Sequence, residues 1–379
     1  MRKIALNYIY LSKSHAGGKD QVGLNLLKGF QESGKILNMY VICFEYSCVL
    51  LKSIAPDAKF IVLKNPRQYN ELYRLFYICW VNTNILPKII KKYKIKLIYH
   101  LSCNNGLRKL NAISFVIPHD IKAVAHRVLA NVKVPFYKYI LYRIMYYIDF
   151  KHADYIIAIS DTDRGEIAEY YNLFKDKIYR IYNPIDINPT VGNRDNISNN
   201  IVAVNLQFHH KNIITLIKAF ELIMNKIDAD LLLIGSVPPR VQYLKDYVNE
   251  HHLNDRIKFT GFISNTEMKE KFMSCRLYVN PTLYEGFGMT AVEAMVFKIP
   301  TLISKIPANY EITKGLCEYY EPAEDEHALA LAIIKCYNKR YSDEYFEYRS
   351  SQIYSAYNYL TISNEYFSIW HKLLVSKND

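Results

Sequence analysis

No apolar run in the 379-residue sequence reaches the roughly 18 residues that a membrane-spanning helix requires. The seven cysteines include no Cys-x-x-Cys pair, which excludes a zinc site of that spacing and favours reduced thiols over a disulfide framework. Glycine and proline are scarce, at 13 residues each, so the chain is neither fibrous nor of low complexity. The first twenty residues carry five charges around one short apolar run, unlike a secretion signal. These absences predict a cytoplasmic globular protein.

What is present is an alternation of short apolar runs with amphipathic stretches of helical period. One helix places Val22, Leu26 and Phe30 on one face and is predicted to end at Gly34, because glycine readily takes the left-handed conformation that closes a helix. This alternation is typical of a mainly parallel sheet covered by helices. The predicted strands lie at residues 3–10, 39–44, 60–63, 96–100, 113–118, 155–160, 177–182, 201–206, 231–235, 256–260, 276–280 and 299–304.

A polar stretch at residues 183–200, rich in asparagine and aspartate, interrupts the alternation and is predicted to be a linker. We therefore predict an α/β protein with two Rossmann-like, doubly wound domains, at residues 1–185 and 195–350. The tyrosine-rich segment 345–374 predicts a long C-terminal helix, and we expect residues 351–379 to pack back toward the N-terminal domain. Two such domains facing each other would form a cleft at the carboxyl ends of both sheets, where such folds bind ligands.

The net charge of +12 is distributed unevenly. Residues 1–180 hold 28 Lys/Arg against 13 Asp/Glu, whereas the remaining residues hold 20 against 23. The densest basic cluster, at residues 88–96, lies among isoleucines, and the aromatic run 136–147 carries Lys138 and Arg143. Such clusters fit either a solvated helix face over a core or a patch that binds an anionic membrane surface. No motif supports nucleic acid as a partner.

The most specific signal is the segment 281–295, which follows a predicted strand and opens a predicted helix. Gly286 and Gly288 allow the backbone to approach a ligand closely, and the free N–H groups of the helix start favour an anion such as a phosphate. Beside this anion site, Glu285 is suited to accept hydrogen bonds from sugar hydroxyls, and Glu293 is suited to hold a ribose diol. The helix dipole alone would explain either glutamate but not the glycines. The combination predicts a nucleotide-sugar site.

The two glutamates seven residues apart, with Glu-Gly-Phe-Gly and a following Glu-Ala-Met, closely resemble the retaining glycosyltransferases of family 4, which have the GT-B fold. The resemblance spans nearly the whole chain, because further segments match the family in order and spacing. These are His15-Ala-Gly-Gly18, Val116-Ile-Pro-His-Asp120, Tyr155-Ile-Ile-Ala-Ile-Ser160 with Arg164, Tyr182-Asn-Pro-Ile-Asp186 and His210-Lys-Asn212.

The resemblance implies a set of site residues and neither a metal nor another cofactor. They are the catalytic residues His119, Lys211 and Glu285 and the donor-binding residues Gly17, Gly18, Asp120, Gln207, His210, Gly286, Phe287, Gly288, Met289, Thr290 and Glu293.

Two positions depart from the family pattern. The family arginine about five residues before Lys211 is absent, so one phosphate contact is missing or is supplied by Gln207, His209 or His210. Lys298 stands where the family often has glycine. Lys211 itself would lie at the positive end of a helix dipole, which is unfavourable unless an anion such as a diphosphate is bound there.

The resemblance implies a retaining, metal-independent transfer of a sugar from a nucleoside diphosphate sugar to a hydroxyl acceptor. By analogy, we expect a lipid-linked acceptor in bacterial surface polysaccharide synthesis, such as O-antigen or capsule, at the inner face of the plasma membrane. A hydrolysing nucleotide-sugar epimerase of the same fold and a catalytically silent binding module remain as alternatives. A nicotinamide dehydrogenase is excluded because no Gly-x-Gly-x-x-Gly follows a predicted strand.

Overall fold

The computed structural model describes residues 3–14, 17–68, 70–129, 132–187 and 197–376. His15 of the glycine-rich loop and residues 188–196 of the predicted linker lie outside these ranges. The chain divides into two compact units. Unit 1 comprises Met1–Arg127, Val134–Asp186 and Ala356–Asp379, and unit 2 comprises Val128–Lys133 and Ile187–Ser355.

The strands follow the predicted alternation. They are β1 (Lys3–Asn7), β2 (Met39–Phe44), β3 (Lys59–Leu63), β4 (Ile95–His100), β5 (Ile113–Val116), β6 (Val128–Leu129), β7 (Val132–Lys133), β8 (Tyr155–Ala158), β9 (Ile178–Arg180), β10 (Ile201–Val204), β11 (Leu231–Ile234), β12 (Ile257–Gly261), β13 (Leu277–Asn280), β14 (Thr301–Ser304) and β15 (Glu318–Tyr320). The hairpin β6–β7 and the edge strand β15 have no counterpart in the prediction.

Each unit contains one parallel sheet that is wound outward in two directions from a central strand. Unit 1 has the order β3-β2-β1-β4-β5-β8-β9, and unit 2 has the order β12-β11-β10-β13-β14-β15. The strand order therefore reverses between β1 and β4 and again between β10 and β13. Ligands of doubly wound sheets bind outside the carboxyl ends of the strands at such a reversal. The predicted α/β class with two Rossmann-like domains is confirmed.

Helices connect the strands. They are α1 (Gly18–Glu32), α2 (Glu45–Ile54), α3 (Glu71–Trp80), α4 (Leu86–Tyr93), α5 (Lys122–Ala125), α6 (Phe136–His152), α7 (Asp161–Tyr170), α8 (Ile213–Glu221), α9 (Tyr243–Glu250), α10 (Asn265–Met273), α11 (Met289–Val296), α12 (Pro307–Ile312), α13 (Glu326–Asn338), α14 (Asp343–Tyr357) and α15 (Tyr359–Ser376). Among the described residues, every helix is too short or too polar to span a bilayer.

The predicted C-terminal helix is present as α15, but the tyrosine-rich segment forms two helices and not one, because Asn358 separates α14 from α15. The main chain on both sides of Asn358 is bonded to Ile185: the Ile185 N–H donates to the Tyr357 carbonyl at 2.8 Å, and the Tyr359 N–H donates to the Ile185 carbonyl at 3.1 Å. The Asn358 side chain then accepts from the Thr361 N–H at 2.9 Å, as a residue that caps the start of a helix does. The tertiary contact and the cap together start a new helix.

Helix α15 completes the core of unit 1 by packing on α1. Trp370 is fully buried, with its ring centroid 5.3 Å from that of Phe30, 5.7 Å from that of Tyr99 and 6.1 Å from that of Phe115. Gly29 permits this approach, because a Cβ there would overlap the Tyr359 carbonyl oxygen and the Ser363 side chain. The C-terminal helix is therefore part of the core of unit 1.

Candidate functional site

Two loops meet at the strand-order reversal in unit 2. The first follows β10 and forms a short 3₁₀ turn, His209–Lys211, before α8. The second follows β13 and contains Glu285. The His210 carbonyl joins the loops, because it accepts from the Leu283 N–H at 2.8 Å and from the Thr282 hydroxyl at 3.1 Å. The main chain therefore holds both loops in one arrangement.

The side chains of Lys211 and Glu285 form a hydrogen-bonded ion pair between Nζ and Oε1. Both side chains are largely covered, at 15% and 14% exposure, so this pair is screened less by water than a surface pair. The sequence predicts Lys211 at a phosphate and Glu285 at a sugar. The structure places these two groups, 74 residues apart in sequence, in direct contact.

The loop between Glu285 and α11 packs tightly. Gly288 has φ of 77° and precedes the first residue of α11, and a Cβ there would lie 3.4 Å from Ile312 Cδ1 and 3.5 Å from Asn309 Oδ1. Glycine is therefore favoured at this position by its conformation, since a Cβ would make only ordinary van der Waals contacts. Phe287 is buried, whereas Gly286, Met289 and Thr290 are partly exposed. Anion binding by N–H groups at the start of α11 stays a prediction.

Glu293 lies one turn into α11. It has no hydrogen-bond or ion-pair partner among the described residues. Burial raises the pKa of its carboxyl to about 7. Burial of Tyr278, and then the nearby charges of Glu285 and Glu293, raise the pKa of that phenol well above its ordinary value. A carboxyl in this position can gain two hydrogen bonds from a vicinal diol, which agrees with its predicted role.

Arg240 supplies a cation that the sequence did not reveal. It lies in the 3₁₀ turn Pro239–Val241 after β11, the strand that pairs with β10. Its Nε donates to the Gln207 carbonyl at 2.7 Å, and its guanidinium lies 4.6 Å from the centroid of the Phe208 ring. Its two terminal nitrogens make no hydrogen bond or ion pair with any described residue. The pairing of β10 with β11 was the signal that could have identified it.

The three predicted substitutes for the missing arginine have other contacts. Gln207 Nε2 donates to the Ser236 hydroxyl at 3.0 Å. The His209 ring stacks on Tyr243 with centroids 5.4 Å apart, and the His210 ring lies 5.5 Å from that of Phe208. On the part of the chain that the structure describes, Arg240 is therefore the arginine whose guanidinium hydrogen-bonds to this loop, at the Gln207 carbonyl.

In unit 1 the glycine-rich loop opens α1 beside the reversal between β1 and β4. Gly17 has φ of 106°, and no atom lies within 4 Å of a Cβ built on Gly17 or Gly18. Asp20, in the first turn, is buried and accepts from the Ser12 N–H at 2.9 Å and from its hydroxyl. The loop thus leaves open space at a helix start, as the prediction for Gly17 and Gly18 requires.

His119 follows β5 in a left-handed conformation, with φ of 67°. Burial lowers the pKa of the imidazole to about 4, so the ring is neutral near pH 7. Since the Leu101 carbonyl can only accept, Nε2 carries the proton in their 2.7 Å hydrogen bond, and Nδ1 is left as an acceptor. The neighbouring Asp120 accepts from the Lys122 N–H at 3.0 Å.

Lys298 follows α11 with φ of 59°. The resemblance implies glycine at this position. The Lys298 N–H donates to the Met295 carbonyl at 3.2 Å, and the Ile299 N–H donates to the Ala294 carbonyl at 2.9 Å. This is the Schellman pattern, in which glycine is favoured because a Cβ is strained. Lys298 occupies it while its Nζ pairs with Glu347 of α14.

Within the described ranges, no three His, Cys, Asp or Glu side chains are grouped as metal ligands. The two parallel sheets define the class of an α/β protein with two doubly wound units.

Two family models match the chain. The model for glycosyl transferases group 1 matches residues 186–358, and the model for glycosyltransferase family 4 matches residues 16–189. Together they span the described loops of both units, and the chain belongs to this family of GT-B glycosyltransferases.

Among curated proteins, the chain is similar to the O-antigen chain mannosyltransferase RfbU of Salmonella typhimurium, at 28% identity over 201 residues, 52% of this chain and 55% of RfbU. It is also similar to the serotype-specific mannosyltransferase WbdA of Escherichia coli, at 26% identity over 180 residues, 43% of this chain and 22% of WbdA. The chain spans about half the length of RfbU and less of WbdA.

Solved structures share the fold over nearly the whole chain. The crystal structure of HepE from Anabaena in complex with UDP and glucose has a TM-score of 0.69 at 16% identity, covering 98% of this chain and 100% of that one. Sucrose-phosphate synthase from Thermosynechococcus elongatus has a TM-score of 0.75 at 18% identity, covering 99% and 100%. At these identities the likeness establishes the GT-B fold alone.

Proposed function

We propose that the protein is a retaining glycosyltransferase that uses a nucleoside diphosphate sugar and requires no metal ion. The contact between Lys211 and Glu285 carries this proposal. In such a donor, a single oxygen separates the β-phosphorus from the anomeric carbon of the sugar. A cation that serves the phosphate and a carboxylate that serves the sugar must therefore lie side by side, as Lys211 and Glu285 do.

Each side chain then has a defined role. Lys211 has three N–H donors, so it can keep Glu285 and also bind the β-phosphate, where it stabilises charge as the diphosphate leaves. Arg240 and the N–H groups at the start of α11 supply further positive potential. Glu285 accepts from sugar hydroxyls, and Glu293 accepts from the ribose diol. The neutral His119 accepts a hydrogen bond from a sugar hydroxyl through Nδ1.

The reaction that follows needs no side-chain nucleophile. The acceptor hydroxyl forms a bond to the anomeric carbon on the face from which the diphosphate departs, as the bond from that carbon to the phosphate oxygen breaks. A β-phosphate oxygen takes the hydroxyl proton. Configuration is retained because attack and departure share one face, and Glu285 positions the sugar without attacking it.

The curated relatives suggest the substrate class. Since two of them are named as O-antigen or serotype-specific mannosyltransferases, we propose that the protein transfers mannose or another hexose to a glycan of bacterial surface polysaccharide. The acceptor is lipid-linked, and the enzyme acts from the cytoplasm at the inner face of the plasma membrane.

Calorimetry with UDP, GDP, ADP and dTDP tests the donor site. One of them should bind, and Lys211→Ala and Arg240→Ala should each weaken it by about 1.5 to 3 kcal/mol, the size of a charge-assisted contact. Lys226→Ala, an exposed lysine of the same unit, is the control and should leave the affinity unchanged.

Glu285→Gln should change the affinity in the opposite direction. Removing the carboxylate frees Lys211, so the bare nucleotide should bind as tightly or several-fold more tightly, while sugar transfer slows. Unchanged binding of all four nucleotides to Lys211→Ala would overturn its phosphate role. Release of free sugar as the sole product, even with acceptor present, would favour the epimerase or a hydrolase.

A further inference from the structure

Helix α6 of unit 1 exposes an unusually large amount of apolar and aromatic surface. Seven of its large side chains are between 37% and 68% exposed. They are Phe136, Tyr137, Ile140, Leu141, Tyr142, Ile144 and Tyr147. A contiguous exposed set of this kind on one helix marks an interaction site, since monomeric proteins keep such patches small.

The helix is fixed at its C-terminal end. Asp149 and Phe150 are buried, and the Asp149 carboxylate accepts from the N–H groups of Asn104 and Asn105, each at 2.8 Å. Lys177 Nζ donates to the carbonyls of Phe150 and Ala153, at 3.1 and 2.8 Å, and so satisfies the last turn. With the end anchored, the remainder of α6 is presented outward as a rigid element.

All exposed charged side chains of α6 are basic. Lys138, Arg143 and Lys151 are exposed, whereas Asp149, the sole acidic residue of the helix, is buried. Basic side chains interspersed with tyrosine, phenylalanine and aliphatic residues fit the headgroup region of an anionic bilayer, where phosphates attract the cations and the rings lie at the interface.

Helix α3 adds a second exposed stripe that is joined to the same loop. Leu72, Phe76 and Trp80 recur every four residues and are at least half exposed. The Asn104 side chain donates to the Leu75 carbonyl of α3 at 2.8 Å, while its N–H donates to Asp149 of α6. One loop thus ties the two helices together.

The lysine-rich segment 88–96 differs from α6 in one decisive respect. Its lysines are exposed, but Leu86, Ile89, Ile90 and Ile95 are buried in unit 1. That segment offers charge without insertable apolar surface. It can attract an anionic membrane at long range, but it cannot penetrate the interface.

We propose that the exposed face of α6, with the stripe of α3 beside it, is the surface by which this protein binds an anionic lipid bilayer. The helix lies in the interface and does not cross it. This proposal deepens the proposed function by naming the surface that would bring the enzyme to a lipid-linked acceptor, but it rests on the geometry of unit 1 and not on any residue of the donor site.

Co-sedimentation with vesicles tests it. The protein should bind vesicles of phosphatidylglycerol and phosphatidylethanolamine, and it should bind pure phosphatidylcholine vesicles at least tenfold more weakly. The double variant Leu141→Asp/Ile144→Asp should lose at least tenfold in partitioning. Val49→Asp, an exposed apolar position on α2 of the same unit, is the matched control and should bind as the unaltered protein does.

Fluorescence reports on α3 in the same experiment. The chain has two tryptophans, of which Trp370 is fully buried and Trp80 is half exposed. A blue shift on adding anionic vesicles therefore reports Trp80 entering an apolar environment. The Lys138→Gln/Arg143→Gln variant, which keeps the apolar face, should lose its preference for anionic over neutral lipid.

Nucleotide affinity, measured on every variant, shows that unit 2 is intact and separates failure of this proposal from failure of the donor-site assignment. Absence of binding to anionic vesicles, or binding of Leu141→Asp/Ile144→Asp equal to that of Val49→Asp, would overturn the proposal. So would a lipid-free dimer that covers α6, since the face would then belong to a second copy. Loss of binding only in Lys91→Gln/Lys92→Gln would assign the membrane surface to α4 instead.

Discussion

Glu293 is the residue of the candidate site with the clearest pH signature. Its carboxyl has a pKa of about 7 in the folded protein, against 4.5 for the group in an unfolded chain. The folded state therefore holds the proton more tightly. The favourable contribution to stability is complete below about pH 4.5 and is lost as pH rises through 7.

Glu293→Gln should remove this dependence, since the amide does not titrate. Relative to the unaltered protein, the variant should gain thermal stability between about pH 5 and pH 7 and then level off. Asp149, whose pKa is raised by burial to about 6, titrates with the same sign in both proteins and cancels in the difference. Thermal unfolding at four pH values provides the measurement, and melting curves that stay parallel would contradict the assignment.

At the residue scale, the sequence indicated candidate site residues but not which of them contact each other. Lys211 and Glu285 were recognisable by their motifs, but their contact depends on β10 pairing with β13 and on the His210 carbonyl that joins the loops. Arg240 was missed because it lies 33 residues from Gln207 and carries no motif of its own. Lys298 became intelligible only once its positive φ was known.

At the element scale, strands were predictable where burial is complete and helices where nothing interrupts their period. Every residue of β2 and β13 is buried, so each reads as a continuous apolar run. Gly34 ends α1 with φ of 70°, as predicted. The break at Asn358 could not be predicted, because it results from a pairing with Ile185 that is distant in sequence.

Two glycines in helices should respond oppositely to alanine. Gly29→Ala should destabilise the protein, because its Cβ would overlap the main chain of Tyr359 and push α15 away from α1. Gly165→Ala, in α7, has no atom within 4 Å of the new Cβ and should stabilise by about 0.5 to 1 kcal/mol. Urea unfolding measures both. Equal effects of the two substitutions would mean that α15 does not pack as described.

At the scale of the whole molecule, the two tryptophans distinguish a core role from a surface role. Trp370→Ala should cost about 3 to 5 kcal/mol of stability in unit 1, the usual range for removing a buried aromatic side chain. Trp80 then remains as the fluorescent reporter, and it lies in the same unit.

Trp80→Phe is the complementary control, read through Trp370, and should change stability by less than about 0.5 kcal/mol. Nucleotide affinity should be unchanged in both variants under conditions where the protein is folded, since Lys211, Arg240 and Glu293, which we propose to bind the bare nucleotide, lie in unit 2. A Trp370→Ala protein as stable as Trp80→Phe would show that α15 is dispensable for the core.

The return of α15 to unit 1 determines the order in which the chain can fold as it is synthesised. Translation delivers the strands of the unit 1 sheet first, then residues 187–355 of unit 2, and only afterwards the helix that carries Trp370. Unit 2 can therefore fold while the chain is still growing, whereas Phe30, Tyr99 and Phe115 await their last partner. Within this chain unit 1 is therefore begun before unit 2 and completed after it, so that Trp370 closes over its aromatic partners last.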